Sequence, residues 1–261
     1  MKYAKKSLGQ NFLIDQNIIK KIVNLKDICN KNVLEIGSGK GALTDLIIKK
    51  NPKSLILIEK DEALFQQLKL KYRHIKNLKI FNEDVLRFNF EKYLKKDTII
   101  FGNLPYNIAS QILVNFIRLK VWPPKYSDLV LMFQKEMGER IIGKFNTSKY
   151  GRLSILTNFK LKIEYKFHIS PYCFTPKPKI DSTVIHFKPN KKLIYQIKDI
   201  KNLEKITQIL FSNKRKMVNK NIKKILSEKE LNSLKNLNLN LRPSDLKPEK
   251  YYEITELFEK T

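Results

Sequence analysis

At 261 residues and 42% hydrophobic content, the chain has room for one large domain, or one with a small companion, and can bury a substantial core. No apolar run reaches the length of a membrane span, and the opening Met1-Lys2-Tyr3-Ala4-Lys5-Lys6 lacks the apolar stretch of a secretion signal, so a cytoplasmic protein with no membrane partner is expected. Two isolated cysteines and three scattered histidines argue against a disulfide framework, a metal site and Ser-His chemistry, while a formal charge of +27 argues for a polyanionic partner such as nucleic acid. Only seven of the cations are arginine, and Asn and Ile are also abundant. Because an AT-biased coding sequence inflates lysine everywhere, where the charge sits matters more than its sum.

In chain order, a basic arm (Lys5, Lys6) leads to Asp15, which can cap a helix whose Ile18, Ile19, Ile22 and Val23 share a face. Val33–Ile36 reads as a buried strand, Gly37-Ser38-Gly39-Lys40-Gly41 as a turn, and Ala42, Leu43, Leu46 and Ile47 as the face of a following helix, together half of a βαβ unit. Further strands are expected at Ser54–Ile58, Leu78–Phe81, Thr98–Phe101 and Leu129–Phe133, with helices after the second (Leu64, Phe65, Leu68), the fourth (Ala109–Leu119) and the fifth (Gln134–Ile142, broken at Gly143). Two β-prone runs, Phe159–Phe167 and Thr183–Phe187, flank Ile169–Lys179, whose three prolines predict a stiff loop without regular structure. Lys188–Lys192 is a plausible linker. Beyond it glycine is absent and helical spacing dominates (Leu203, Ile206, Ile209, Leu210; Ile222, Ile225, Leu226). The expected architecture is α/β: a mostly parallel sheet covered on both faces in residues 1–188, then a small helical domain in 189–261.

Three strand ends carry chemistry. Glycines after the first strand let a ligand approach backbone closely at a helix N-terminus. Glu59, 22 residues beyond Gly37, can accept both hydrogens of a ribose diol. Gly37–Ala42 also satisfies the dinucleotide pattern, so a nicotinamide and an adenosyl cofactor both fit, and a dehydrogenase is one alternative. Asp84 follows the third strand, as a ligand contact or a surface helix cap. At the end of the fourth strand, Asn103-Leu104-Pro105-Tyr106 places an amide acceptor, a rigid proline and an aromatic face within four residues, which suits a flat hydrogen-bonding group such as a nucleobase; an ordinary turn with a packed Tyr106 is the plainer alternative.

The spacing Glu35-x-Gly37-x-Gly39-x-Gly41 with Glu59 resembles the first two motifs of class I methyltransferases, and Asp84 matches the position where that class contacts adenine of the cofactor. Asn103-Leu104-Pro105-Tyr106 resembles the amino-methyltransferase signature in its rRNA adenine form. With Gly9–Leu13, Gln134-Lys135-Glu136, Tyr150–Ser154, Phe174–Ser182, Lys214-Arg215-Lys216 and Arg242-Pro243, the resemblance covers essentially the whole chain and is to the bacterial small-subunit rRNA adenine N6-dimethyltransferases.

That resemblance implies a Rossmann-like methyltransferase sheet with a C-terminal helical rRNA-contacting domain, S-adenosylmethionine as cofactor, and dimethylation of two adjacent adenosines in a hairpin near the 3′ end of 16S rRNA in the 30S particle. It implies cofactor contacts by Asn11, Leu13, Gly37, Gly39, Glu59, Asp84 and Asn103. Asn103 and the Leu104 carbonyl would accept the two amine hydrogens, Pro105 would stiffen the loop, and Tyr106 and Phe174 would stack on the base from opposite sides; Phe174 as a plug under the proline loop is the plainer reading. Lys5, Lys6, Lys214, Arg215 and Lys216 are candidate phosphate contacts, the last three alternatively a solvated helix face. Two further functions fit much of the same pattern: a large-subunit (23S) adenine methyltransferase of the macrolide-resistance type, and an rRNA-binding assembly factor with secondary methylation. Oligomeric state is unreadable, and a monomer is assumed.

Overall fold

The computed structural model describes residues 9–234 and 237–260, which group into two compact units. The first runs through Gly138 and resumes at Ile163–Pro189; the second combines Glu139–Lys162 with the chain from Asn190 onward.

The first unit begins with β1 (Phe12–Leu13) and α1 (Gln16–Val23). The Asp15 carboxylate caps α1 by accepting the N–H groups of Asn17 and Ile18, and Ile19, Ile22 and Val23 are its buried face. There follow β2 (Asn32–Ile36), α2 (Ala42–Lys49), β3 (Ser54–Glu59), α3 (Glu62–Lys71), β4 (Leu78–Asn82), a short α4 (Phe90–Tyr93), β5 (Thr98–Asn103), α5 (Ala109–Ile117), β6 (Tyr126–Gln134) and α6 (Lys135–Ile141). After α7 (Arg152–Lys160) come β7 (Leu161–Ile169), β8 (Phe174–Thr175) and β9 (Ser182–Pro189).

The sheet order is β4-β3-β2-β5-β6-β9-β7. The first five strands are parallel, and β9 turns antiparallel against β6. Val33 to Ile36 in β2 and Thr98 to Gly102 in β5 are all buried, the mark of central strands covered on both faces. With β2 flanked by β3 and β5, the carboxyl ends of three adjacent strands deliver Gly37, Glu59 and Asn103 side by side. That edge of an open parallel sheet, where neighbouring connections diverge, is where crevices form.

Three expectations change. The proline-rich segment is not irregular: Pro171–Cys173 forms a 3₁₀ turn, and β8 pairs antiparallel with β1, Phe12 opposite Thr175 and Leu13 opposite Phe174. Prolines at 171, 176 and 178 remove donors only at those positions, so the N–H groups between 171 and 176 remain able to pair. Second, Phe159 lies in the last turn of helix α7 and does not open a strand; β7 starts at Leu161. Ser154, Ile155, Leu156, Thr157, Phe159 and Lys160 are all buried, so α7 shows no polar face from which its period can be read. Third, the compact units differ from a single cut at 188/189, because residues 139–162 belong with the C-terminal helices.

In the second unit α7 packs with α8 (Ile200–Phe211); α9 (Asn219–Ile222), α10 (Glu228–Ser233) and α11 (Pro248–Phe258) complete it. Leu203, Ile206, Leu210, Tyr251 and Ile254 are buried there. Buried hydroxyls tie its segments together: Tyr150 donates to the Leu246 carbonyl at 2.9 Å and Tyr252 to the Ile155 carbonyl at 3.0 Å. Among the described residues no helix is long and apolar enough to cross a membrane.

Candidate active site

A cavity of about 440 Å³ opens at the carboxyl edge of the sheet, within the range of small-molecule sites. Asn11, Leu13, Gly37, Gly39, Glu59, Asp84 and Asn103 all line it, as do Leu104, Pro105 and Tyr106. Gly37 leaves β2 at φ +68°, and a Cβ there would stand 3.2 Å from the backbone oxygen of Asn103. The glycine turn and the Asn103 loop are therefore packed backbone to backbone, and the left-handed φ together with this tight space favours glycine there.

Glu59 is buried at the end of β3. One carboxylate oxygen accepts the Gly39 N–H and the other the Asp61 N–H, both at 2.9 Å. Burial pushes its pKa up, opposed by these two N–H donors. A carboxylate has about four acceptor positions, so capacity remains for a hydroxyl-bearing ligand. Burial also works to raise the Asp84 pKa, but the Lys60 ammonium at 2.8 Å and the Leu86 N–H hold it below the usual carboxylate value, so this acid is ionised at neutral pH. The cavity thus carries an acceptor at each of two adjacent strand ends.

At the end of β5 the Asn103 side-chain N–H donates to the backbone carbonyl of Asn11 at 3.0 Å. A carbonyl partner can only receive, so the bond fixes the amide with nitrogen toward Asn11 and leaves the side-chain oxygen as the acceptor. The Tyr106 hydroxyl is 2.6 Å from the buried Ser182 hydroxyl. Burial raises its pKa, and it stays a neutral phenol.

Phe174, expected opposite Tyr106, lies elsewhere. It is 2% exposed, packs in the same core cluster as Leu13, Phe167, Ile169 and Val184, and does not line the cavity, whereas its neighbour Thr175 does. Alternation along β8 accounts for this: with Thr175 facing the cavity, Phe174 faces the core. Lys214, Arg215 and Lys216 are exposed, but in the turn that follows α8 and not on a helix face. Lys5 and Lys6 lie outside the described residues.

Several groups at the cavity belong to the motifs read above, but their state and partners are not written in those motifs. Glu35, 2% exposed in β2, accepts the Thr44 hydroxyl at 2.6 Å, and burial pushes its pKa up to about 8, so it is largely protonated at neutral pH. Ser38 is 4% exposed and its hydroxyl has no hydrogen-bond partner among the described residues, an orphan that a ligand would satisfy. Gln10 reaches Asp61 at 3.1 Å, and the Lys40 ammonium lies 4.7 Å from the centroid of the Phe12 ring. Each depends on partners distant in sequence or on burial, which no local motif encodes. Among the described residues no three acidic, histidine or cysteine side chains are grouped to hold a metal.

The family model for ribosomal RNA adenine dimethylases matches residues 1–260. The chain belongs to the ribosomal RNA adenine dimethylase family. It is 47% identical over 258 residues to the ribosomal RNA small subunit methyltransferase A of Pelagibacter ubique, covering 98% of this chain and 97% of that one. It is 38% identical to the protein of the same name from Malacoplasma penetrans, over 97% of this chain and 91% of that one. Among solved structures, a dimethyladenosine transferase from Plasmodium falciparum superposes with a TM-score of 0.78 at 24% identity, over 95% of this chain and 98% of that one. The 23S rRNA methyltransferase ErmE superposes at 0.69 and 19% identity, over 95% of this chain and 100% of that one. Both show the class I methyltransferase fold in this rRNA adenine dimethylase. As a family member it is a methyltransferase of ribosomal RNA, and the dehydrogenase reading of its glycine turn falls away.

Proposed function

We propose that this dimethylase converts two adjacent adenosines in a hairpin near the 3′ end of 16S rRNA to N6,N6-dimethyladenosine, using S-adenosylmethionine, on the small subunit in the cytoplasm and as a monomer. The observation that carries the reading is the amide of Asn103, turned by the Asn11 carbonyl so that its oxygen is the free acceptor beside Tyr106 and the Leu104 backbone. The small-subunit substrate is supported by the curated relatives that match nearly the whole chain.

The residues present fit the cofactor. Glu59 suits a ribose diol, Asp84 an amine-bearing base edge, Gly37 and Gly39 a close approach of backbone, and the orphan Ser38 hydroxyl a polar group of the ligand. When bound, S-adenosylmethionine supplies a methyl group on a cationic sulfur with a neutral leaving group. The protein's task is then to prepare the nucleophile. An exocyclic adenine nitrogen is a poor one because its lone pair is delocalised into the ring. Accepting its two hydrogens at the Asn103 side chain and the Leu104 carbonyl favours a tetrahedral nitrogen whose lone pair points into the cavity. Tyr106 stacks on the extruded base and holds its plane; base-aromatic stacks contribute roughly 1–3 kcal/mol, and extrusion costs a few kcal/mol, less in a loop. No residue need act as base, because the methylated nitrogen can release its proton afterwards. Positioning and charge complementarity carry the catalysis. Phosphate contacts by Lys214, Arg215 and Lys216, and by Lys5 and Lys6, hold the RNA.

The test is methyl transfer from labelled S-adenosylmethionine to 30S subunits lacking the modification, with 50S subunits in parallel, followed by mapping of the label. Two neighbouring labelled adenosines near the 3′ end of 16S rRNA are expected. Label confined to 23S rRNA would assign a large-subunit target, and cofactor binding without transfer to either would favour an assembly factor.

A further inference from the structure

Tyr172 is the most exposed aromatic side chain among the described residues, at 77%. It sits in the 3₁₀ turn Pro171–Cys173, immediately before β8. The next residue, Cys173, accepts the Ile14 N–H at 2.9 Å, and Ile14 and Thr175 both line the cavity. With consecutive Cα atoms about 3.8 Å apart, the Tyr172 backbone stands within about two residue lengths of the cavity wall. The turn is held: the Ser170 hydroxyl accepts the Tyr172 N–H, Pro171 fixes its own φ, and β8 is paired to β1. Thus an almost uncovered aromatic ring is displayed on a stiff support whose neighbours in the chain and across the β1–β8 pair line the cavity.

The Lys177 ammonium lies 3.4 Å from the centroid of this ring, and Lys179, two residues on, is exposed. A cation covers one face of the ring and leaves the other open, while both lysines stand ready for phosphates. Packing does not explain the display, because a ring this exposed buries little apolar surface. A flat anionic polymer entering the cavity does: a base goes to Tyr106 inside, and the chain to either side passes the rim. At about 3.4 Å per stacked nucleotide, Tyr172 lies within reach of a nucleotide adjoining the target.

We propose that Tyr172 is a second stacking platform, which holds an rRNA base flanking the target adenosine, with Lys177 and Lys179 on the adjoining phosphates, and so positions the substrate strand without touching the reacting atoms. The inference rests on the rRNA reading of the site, and the experiment separates the two.

Full-length wild type and the variants Tyr172→Ala, Tyr172→Phe and Tyr172→Trp are assayed for methyl transfer to unmodified 30S subunits across a range of salt, with S-adenosylmethionine affinity and thermal midpoint measured alongside. Loss of one base stack predicts that Tyr172→Ala raises KM for 30S roughly 5- to 150-fold, with kcat, cofactor affinity and thermal midpoint near wild type. Tyr172→Phe and Tyr172→Trp retain the low KM, and the slope of log KM against log salt is unchanged by Tyr172→Ala, since stacking releases no counterions. A KM within about twofold of wild type for Tyr172→Ala, below the smallest stacking contribution, overturns the proposal, as does an equal loss in Tyr172→Phe, which would assign the effect to the hydroxyl. Failure of the wild type itself to methylate 30S would overturn the underlying reading instead.

Discussion

The Asn11 carbonyl decides which way the Asn103 amide lies, and that orientation leaves an acceptor and not a donor where, on the proposed function, the substrate amine presents one of its two hydrogens. Replacing Asn103 with Ala removes the acceptor and leaves the loop backbone in place. Single-turnover methyl transfer should fall by on the order of 10²-fold, by analogy with loss of one preorganised electrostatic partner, while the urea unfolding free energy changes by less than about 1.5 kcal/mol. Glu35 makes a prediction of opposite kind. Its pKa rises on folding from near 4.5 to about 8 because burial disfavours the charged form. The folded state therefore binds the extra proton. Its contribution is fully present below about pH 4.5 and is lost as pH climbs to about 8, at up to roughly 1.4 kcal/mol per unit. Glu35→Gln, which stays neutral, should match wild type in thermal midpoint near pH 5 and exceed it near pH 8; parallel pH profiles would show that Glu35 does not titrate in that window.

Among the elements, the turn between β2 and α2 rests on Gly41, whose φ of +85° is left-handed and whose missing Cβ leaves room for the Tyr72 hydroxyl. That hydroxyl donates to Asp45 at 2.7 Å, and Lys71 bonds the same carboxylate. Gly41→Ala should destabilise the protein by about 1–3 kcal/mol from backbone strain alone, with more from displacement of Tyr72. Denaturant unfolding should reveal the loss, and cofactor affinity should fall with it. The parallel strands and the chemistry at their ends were legible in the sequence because both signals are local: an apolar run for a strand buried on two faces, and a glycine or polar residue where it ends. Helix α7 was not, since the burial of polar Ser154, Thr157 and Lys160 beside its apolar residues blurs its period. Nor was the pairing of β1 with β8, two residues on each side and far apart in the chain. The same distinction divides the site. Gly37, Glu59, Asp84 and Asn103 were found as strand-end residues, whereas the protonated Glu35, the orphan Ser38 hydroxyl and the inward turn of Phe174 are set by tertiary surroundings that no spacing encodes.

For the molecule as a whole, the charge of +27 is a statement about partners and not about fold. An AT-biased coding sequence inflates lysine with no selection for binding, so a functional share of this charge must be demonstrated at particular positions. The turn after α8 is the place to look: neutralising Lys214, Arg215 and Lys216 together should reduce the slope of log RNA affinity against log salt by roughly 0.7–0.9 for every phosphate they would otherwise neutralise. An unchanged slope would mean that the three are merely solvated. The ribbon of β1 and β8 bears on how the protein is made. One wall of the active-site cavity comes from residues near the start of the chain, and the strand that holds it in place is Phe174–Thr175. Until synthesis passes Phe174, the glycine turn and the acidic strand ends can already be present, but the partner of Phe12 and Leu13 is still unmade. A nascent chain thus has the glycine turn and the acidic strand ends before it has the clasp, and the wall of the cavity is paired only once the proline-rich segment has been made.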